Sequence, residues 1–483
     1  MILGKKLQNP YTVENMKQAY SNLKKGNNEI PNLKIETNFQ YVRFLPKNEV
    51  EYSILNQDKS LDIFDYPLDV EIAENGNFYK DPSTKDNTYT WYYCSVPRSF
   101  QFPKNVKVEV LADLFLPKGN GNDEVVKNNP KVLADEIFLD ELEKEALLIS
   151  GNLIQKKKSR TATWIPSGQI TMQDDQRGIV PVKGCEVQTR RWFSTETAIT
   201  GDFGFFNIGV AYNYPYNYSI KWERGVFAIF TQQSTQAIYN GPYQEAAWNL
   251  LIDNGNSRTY ALAHRVAFEY YFNTPENLTA PSSVILYIQD IGTQNWRAGK
   301  YIAGYGIKIW NRVDDANLGF RDLTSAELFG IIAHELGHRV HHEINPSGFW
   351  DQDDSALVLS EAWGDGVKWL FRMREYGNCG DFNNLTFILT NDNFQGRVLN
   401  GGFYRPIVVD MIDNCNQRTD NCGQRQDIPA TDYPNDLVSG YTIKNFEDAI
   451  RNANRWNSSR DWLLNNVTNG TSGELTNLFA QWE

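Results

Sequence analysis

The stretch Ile331 to Glu343, IIAHELGHRVHHE, holds two histidines four positions apart with a glutamate directly after the first. On an α-helix this spacing puts His334 and His338 one turn apart on one face, so both imidazoles can reach a single cation. Glu335 then stands beside the cation's open position, where a carboxylate can take a proton from a water. The chemistry this implies is metal-assisted hydrolysis. With 5 histidines in 483 residues, the pattern should arise by chance in fewer than roughly one such chain in a hundred.

Two imidazoles leave a catalytic zinc one protein ligand short. A third histidine six positions beyond His338 is excluded, because that position is Ile344, and the glycine that would accompany it is replaced by His341. His342 continues the helical face but lies about 12 Å from His334, too far to share an ion. His341 and His342 are therefore expected to be exposed or to serve a second site. The better third ligand is Glu361, in SALVLSEAWGDGVKWLFRM, with Asp365 one helical turn further on the same side. Asp365 can accept the free N–H of a metal-bound imidazole and so fix its tautomer. Gly364 and Gly366 weaken an ordinary helix, which implies close approach to the helix carrying the motif.

The elements that must hold these residues are legible at one end in particular. Thr324-Ser325-Ala326-Glu327 is a capping box, flanked by Leu323 and Leu328 as a hydrophobic staple, and Pro346 stops the helix. His-Glu-x-x-His followed by Glu-x-x-x-Asp over Leu323 to Tyr376 resembles the gluzincin metallopeptidases, the thermolysin-like clan. The resemblance implies a two-lobed α+β catalytic domain with a mainly helical C-terminal lobe. It also implies an edge strand that binds extended peptide by main-chain pairing, for which Ile302 to Asn311 is the candidate. Thermolysin stabilises the oxyanion with a downstream histidine, and no histidine follows His342 here. Tyr404 and Arg405, in GGFYRPIVVDMID, are the candidates for that role, since either side chain can donate to an oxyanion. The Asp-rich segments WDQDD and DNCNQRTDN offer carboxylates for Ca²⁺, without the EF-hand spacing.

The rest of the chain frames this centre. Its length divides into about three domains: an α+β N-terminal domain over 1–158, a small all-β sandwich over 161–235, and the catalytic domain over 241–483. In the first, residues 11–24 and 134–152 read as helices, and 37–46, 50–55, 61–72, 89–97 and 107–117 as strands. In the second, Gly168, Pro181, Val182, Gly184, Val187, Thr200, Asp202, Gly204 and Phe206 resemble the carboxypeptidase regulatory-like, transthyretin-like sandwich, with Asp202 structural in a tight turn. In the third, 246–251 and 258–273 read as helices and 282–290 and 301–312 as strands, with His264 packed on the second helix.

Composition narrows the partners. A net charge of −12 and a sequence pI near 5.1 exclude nucleic acid, since the largest basic block runs only from Lys156 to Arg160. No apolar run is long enough for a transmembrane segment. Five cysteines, three of them in the C-terminal part, make no disulfide framework but allow one bridge among Cys379, Cys415 and Cys422. The start of the sequence turns polar within a few residues, without an apolar leader.

The function expected is a zinc-dependent peptidase acting on peptide or protein substrates, an endopeptidase rather than an aminopeptidase because no Gly-x-Met-Glu-Asn segment lies upstream. His334, His338 and Glu361 hold the Zn²⁺, and Glu335 is the general base. The alternative is a surface binding or adhesion protein whose zincin domain has lost turnover. The sandwich resemblance implies an extracytoplasmic setting, with any signal or anchor segment outside this sequence.

Overall fold

The computed structural model describes residues 1–26, 30–84, 89–117, 132–153, 164–210, 215–289, 298–315, 319–350, 354–377, 399, 406–420 and 428–482. The architecture is mixed α and β, with several separate sheets. The chain folds into two compact units. The first comprises Met1–Ile170, Lys183–Trp222 and Gln233–Leu250, and the second Thr171–Val182, Glu223–Gln232 and Leu251–Glu483.

In the first unit an antiparallel sheet runs Tyr92–Pro97, Phe39–Leu45, Lys107–Leu114. Tyr92–Val96 is buried along its length and Phe39–Leu45 buries Phe39, Tyr41, Val42 and Phe44, whereas Lys107–Leu114 is largely exposed. Helix Val132–Ile149 places Leu142 and Ala146 in the same core as Met16 and Ala19 of helix Val13–Gly26. A five-stranded antiparallel sheet takes in Ser194–Ile199, Glu186–Arg191, Tyr216–Lys221, Ile238–Gln244 and Gly76–Asn77. Gly201 to Gly204 forms a tight turn, with Gly204 N–H donating to the Gly201 carbonyl and Gly204 at φ +76°.

Several segments differ from their sequence reading. Of residues 61–72, read as a strand, only the end enters one, Val70–Glu74. Residues 50–55, read as a strand, lie in helix Glu49–Gln57, because Asn48 caps it by accepting from the Glu51 N–H at 2.9 Å. Tyr52 and Leu55 bury one turn apart while Val50 and Ile54 stay exposed, so the alternation of apolar residues was a helical face. Residues 246–251, read as a helix, enter strand Trp248–Ile252, where Trp248 and Ile252 are buried and Asn249 is exposed.

The second unit holds a four-stranded sheet in the order Phe227–Phe230, Val284–Gln289, Gly306–Trp310, Gly299–Ile302. The first three strands are parallel and the last is antiparallel at the edge. Residues 301–312 are thus a hairpin rather than one strand, turning at Gly304, which sits at φ +75°. The edge belongs to Gly299–Ile302, and Gly306–Trp310 is paired on both sides, which corrects the expectation that 302–311 forms the peptide-binding edge. Helices Gly255–Phe272, Ser325–Ile344 and Asp354–Tyr376 complete the surroundings of the motif.

Gly168 marks a backbone contact that tolerates no side chain. A Cβ there would overlap the Trp248 carbonyl. Gly168→Ala should destabilise the protein by about 1–3 kcal/mol, the usual range for overpacking. Urea unfolding should show it as a lower midpoint with unchanged slope.

Candidate metal centre

The motif helix, Ser325–Ile344, begins at the capping box read from sequence. Thr324 accepts from the Glu327 N–H while the Glu327 side chain accepts from Thr324 N–H at 2.9 Å. Arg321 donates to both Glu327 oxygens, at 2.9 and 2.7 Å, and fixes that carboxylate further. Leu323 and Leu328 are both buried. The start of the helix, and hence the phase of its histidines, is set locally.

Asp354–Tyr376 carries the second half of the centre against it. Trp363 donates from its indole to the Gly337 carbonyl at 2.9 Å, and a Cβ on Gly337 would already touch Val367 at 3.3 Å. A Cβ on Gly364 would fall 2.7–2.9 Å from three atoms of the His334 ring. Gly364 is therefore the close approach expected. Gly366 instead faces Val408 of helix Ile407–Ile412, where a Cβ would come within 2.6 Å.

His334, His338 and Glu361 form the only group of three or more metal-ligating residues among the described residues whose ligand atoms lie within 4.8 Å of one another. Glu361 Oε2 stands 3.3 Å from His334 Nε2 and 3.6 Å from His338 Nε2. Those separations match the edge of about 3.3 Å expected of a tetrahedron with bonds near 2 Å. The other ring nitrogens are engaged: His334 Nδ1 lies 3.3 Å from Asp365 Oδ1, and His338 Nδ1 lies 3.3 Å from Ser360 Oγ. Both imidazoles are more than nine-tenths buried, and the buried Glu361 Oε2 faces the Nε2 atoms of both. Two imidazole nitrogens and one carboxylate oxygen, aimed at one point with their supports in place, fit a metal ion.

Charge agrees with geometry. Burial alone would lower the pKa of His334, but its hydrogen bonds to Asp365 and Glu361 outweigh that and raise it to about 10. Burial would raise Glu361, but the charge of His338 and hydrogen bonds from both imidazoles hold it well below the usual carboxylate range. Glu335 is pushed upward, chiefly by burial.

Glu335 meets the edge strand directly. Its Oε2 accepts from the Tyr301 N–H at 2.6 Å, and a Cβ on Gly299 would come within 2.6 Å of its Oε1. Sequence reasoning missed Gly299, Ser360 and His341. His341, expected to be exposed or to serve a second site, is not exposed but fully buried, with Nδ1 3.2 Å from Ser360 Oγ. The signal was present: His334, His338, His341 and Asn345 follow the four- and three-residue steps of one helical stripe, whereas His342 turns toward Tyr301 and Trp350. Tyr404 and Arg405 lie outside the described residues, as do residues 351–353 of the first Asp-rich segment. In the second segment Asp413 and Asp420 accept from the backbone N–H groups of Cys415 and Asn416, as turn residues do. His264 is packed edge-on against Phe227, as expected of a core histidine. No described helix is long and apolar enough to cross a membrane. Comparison with protein-family models and with curated proteins returned no match.

Two outcomes follow. Gly364→Ala should weaken zinc binding at least about tenfold in chelator competition, by displacing the His334 ring, while Gly366→Ala should lower stability and leave zinc affinity unchanged. Because His334 is protonated below about pH 10 in the metal-free protein, zinc must displace that proton. Calorimetry at pH 8 in buffers of differing ionisation enthalpy should read about one proton released per zinc bound, with affinity rising as pH rises.

Proposed function

We propose that this chain is a zinc-dependent peptidase of the gluzincin type, hydrolysing internal bonds of peptide or protein substrates. The observation that carries the reading is the convergence of His334 Nε2, His338 Nε2 and Glu361 Oε2 beside the buried Glu335 carboxylate. His334, His338 and Glu361 would hold the ion, with Asp365 and Ser360 orienting the two imidazoles. When bound, the ion supplies Lewis-acid polarisation of the scissile carbonyl and makes a coordinated water more acidic. Glu335 takes the proton of the attacking water and delivers it to the leaving amine. Burial raises its pKa toward the working range of a general base. Among the described residues no further strand pairs with Gly299–Ile302, so an extended substrate can pair along it. The disulfide at Cys415 supports an extracytoplasmic setting for this activity.

One observation favours a second reading, a binding protein built on an inactive centre. Glu335 is only 7% exposed and is held against the edge strand by the Tyr301 N–H. The two readings separate on one variant. Glu335→Gln should keep the zinc and the fold while peptide cleavage falls by about 10²–10⁴ or more, the worth of general-base catalysis. Chelation should abolish wild-type cleavage and zinc should restore it. Wild-type protein that takes up zinc but cleaves nothing in a diverse peptide library supports the binding protein; equal rates for Glu335→Gln and wild type would place the chemistry elsewhere.

A further inference from the structure

Ser360 sits between two imidazoles. Its Oγ is 3.3 Å from His338 Nδ1 and 3.2 Å from His341 Nδ1, and all three residues are buried, His341 completely. A hydroxyl carries one proton and two lone pairs. Ser360 Oγ has no other hydrogen-bond partner among the described residues, so accepting from both rings would leave its own buried proton unpaired. The chain of three groups therefore has two directions in which the hydroxyl proton is also used, donating to one nitrogen and accepting from the other.

Each direction fixes a tautomer at both ends. If His338 carries its proton on Nδ1, it donates to Ser360, Ser360 donates to His341 Nδ1, and His341 keeps its own proton on Nε2. The lone pair of His338 Nε2 then faces Glu361 and is available to a cation. If the chain runs the other way, His341 donates from Nδ1, Ser360 donates to His338 Nδ1, and the His338 proton moves to Nε2, where it excludes a metal. His341 stays neutral, since burial pushes its pKa down to about 3. No described residue hydrogen-bonds to His341 Nε2, so nothing at that end prefers either direction.

The other imidazole is held differently. His334 Nδ1 faces the Asp365 carboxylate at 3.3 Å, an acceptor for the Nδ1 proton, so its tautomer is held in one sense. His338 is held by a hydroxyl that can turn round.

We propose that Ser360 and His341 form a hydrogen-bond chain that sets which nitrogen of His338 faces the cation, with His341 as a positioning residue. The proposal rests on the metal-site reading, in that His338 must offer Nε2. It does not depend on peptidase activity.

The decisive measurement is two-bond ¹⁵N–¹H NMR of the histidine-labelled full chain loaded with zinc, which the small number of histidines, 5 in all, makes assignable. The expected spectrum has His338 protonated at Nδ1 and His341 at Nε2. Zinc uptake with His341 protonated at Nδ1 would overturn this proposal alone, whereas wild-type protein that takes up no zinc would overturn it together with the metal-site reading. A variant series gives a second readout by chelator competition. Ser360→Ala should lower zinc affinity about 10- to 100-fold, as loss of an imidazole's hydrogen-bond partner does. Adding His341→Phe to it should cost no more, because His341 acts only through Ser360. Independent, additive losses would sink the chain. The wild-type spectrum stands whether or not either variant folds.

Discussion

The backbone of Gly364 lies against the imidazole of His334, and no side chain would fit between them. At that contact the helix Asp354–Tyr376 comes close enough for Glu361, nearly one turn earlier, to reach both imidazoles, and for Asp365, the next residue, to reach His334 Nδ1. Trp363 locks the same approach from beside it by donating to the Gly337 carbonyl. Three consecutive residues of one helix thus set its distance, its rotation and the orientation of a ring on the other. Close packing transmits small volume changes, so a methyl group at this point is felt at the ligand atoms.

The price of such proximity is electrostatic. Glu335, Glu361 and Asp365 bring three carboxylates to two imidazoles in a largely buried place, and burying ions without full compensation costs several kcal/mol each in order of magnitude. In the metal-free protein a proton on His334 offsets part of this charge, which is why its pKa rises despite burial. A divalent cation would offset more. The site is thus strained toward occupancy by its own charge balance, and Asp365 serves the imidazole in both states: it pairs with the charged ring when His334 is protonated and accepts from Nδ1 when that ring is neutral.

The sequence showed this centre better than it showed the folds around it, for a physical reason. Helical spacing, a capping box and carboxylates one turn apart are local, so His334, His338, Glu361 and Asp365 could be placed on faces before any tertiary contact was known. The partners that only tertiary packing supplies were not legible: Gly299 is defined by what lies across the gap, and His341 by the helix that covers it. The misread segments fail in the same way. Glu49–Gln57 has apolar residues whose alternation fits a strand as well as a helix, and the Asn48 cap decides between them. The hairpin at Gly304 was hidden because the apolar residues on both sides run on without a charged break.

The contact between Glu335 and the edge strand joins binding to chemistry. In an antiparallel edge, successive N–H groups alternate between the neighbouring strand and the open side. The Tyr301 N–H points to the open side, and there it donates to Glu335 rather than to solvent. An extended chain pairing along Gly299–Ile302 would seek that same donor for one of its carbonyls. On the peptidase reading proposed above, a substrate that took this donor would free the Glu335 carboxylate with a peptide bond nearby, and one too short to pair there would leave the carboxylate held. The absence of a side chain at Gly299 keeps this exchange sterically open, since any Cβ would press on Glu335 and on Ile331 beneath it. On that reading, recognition of an extended main chain and release of the base would be two sides of one hydrogen bond.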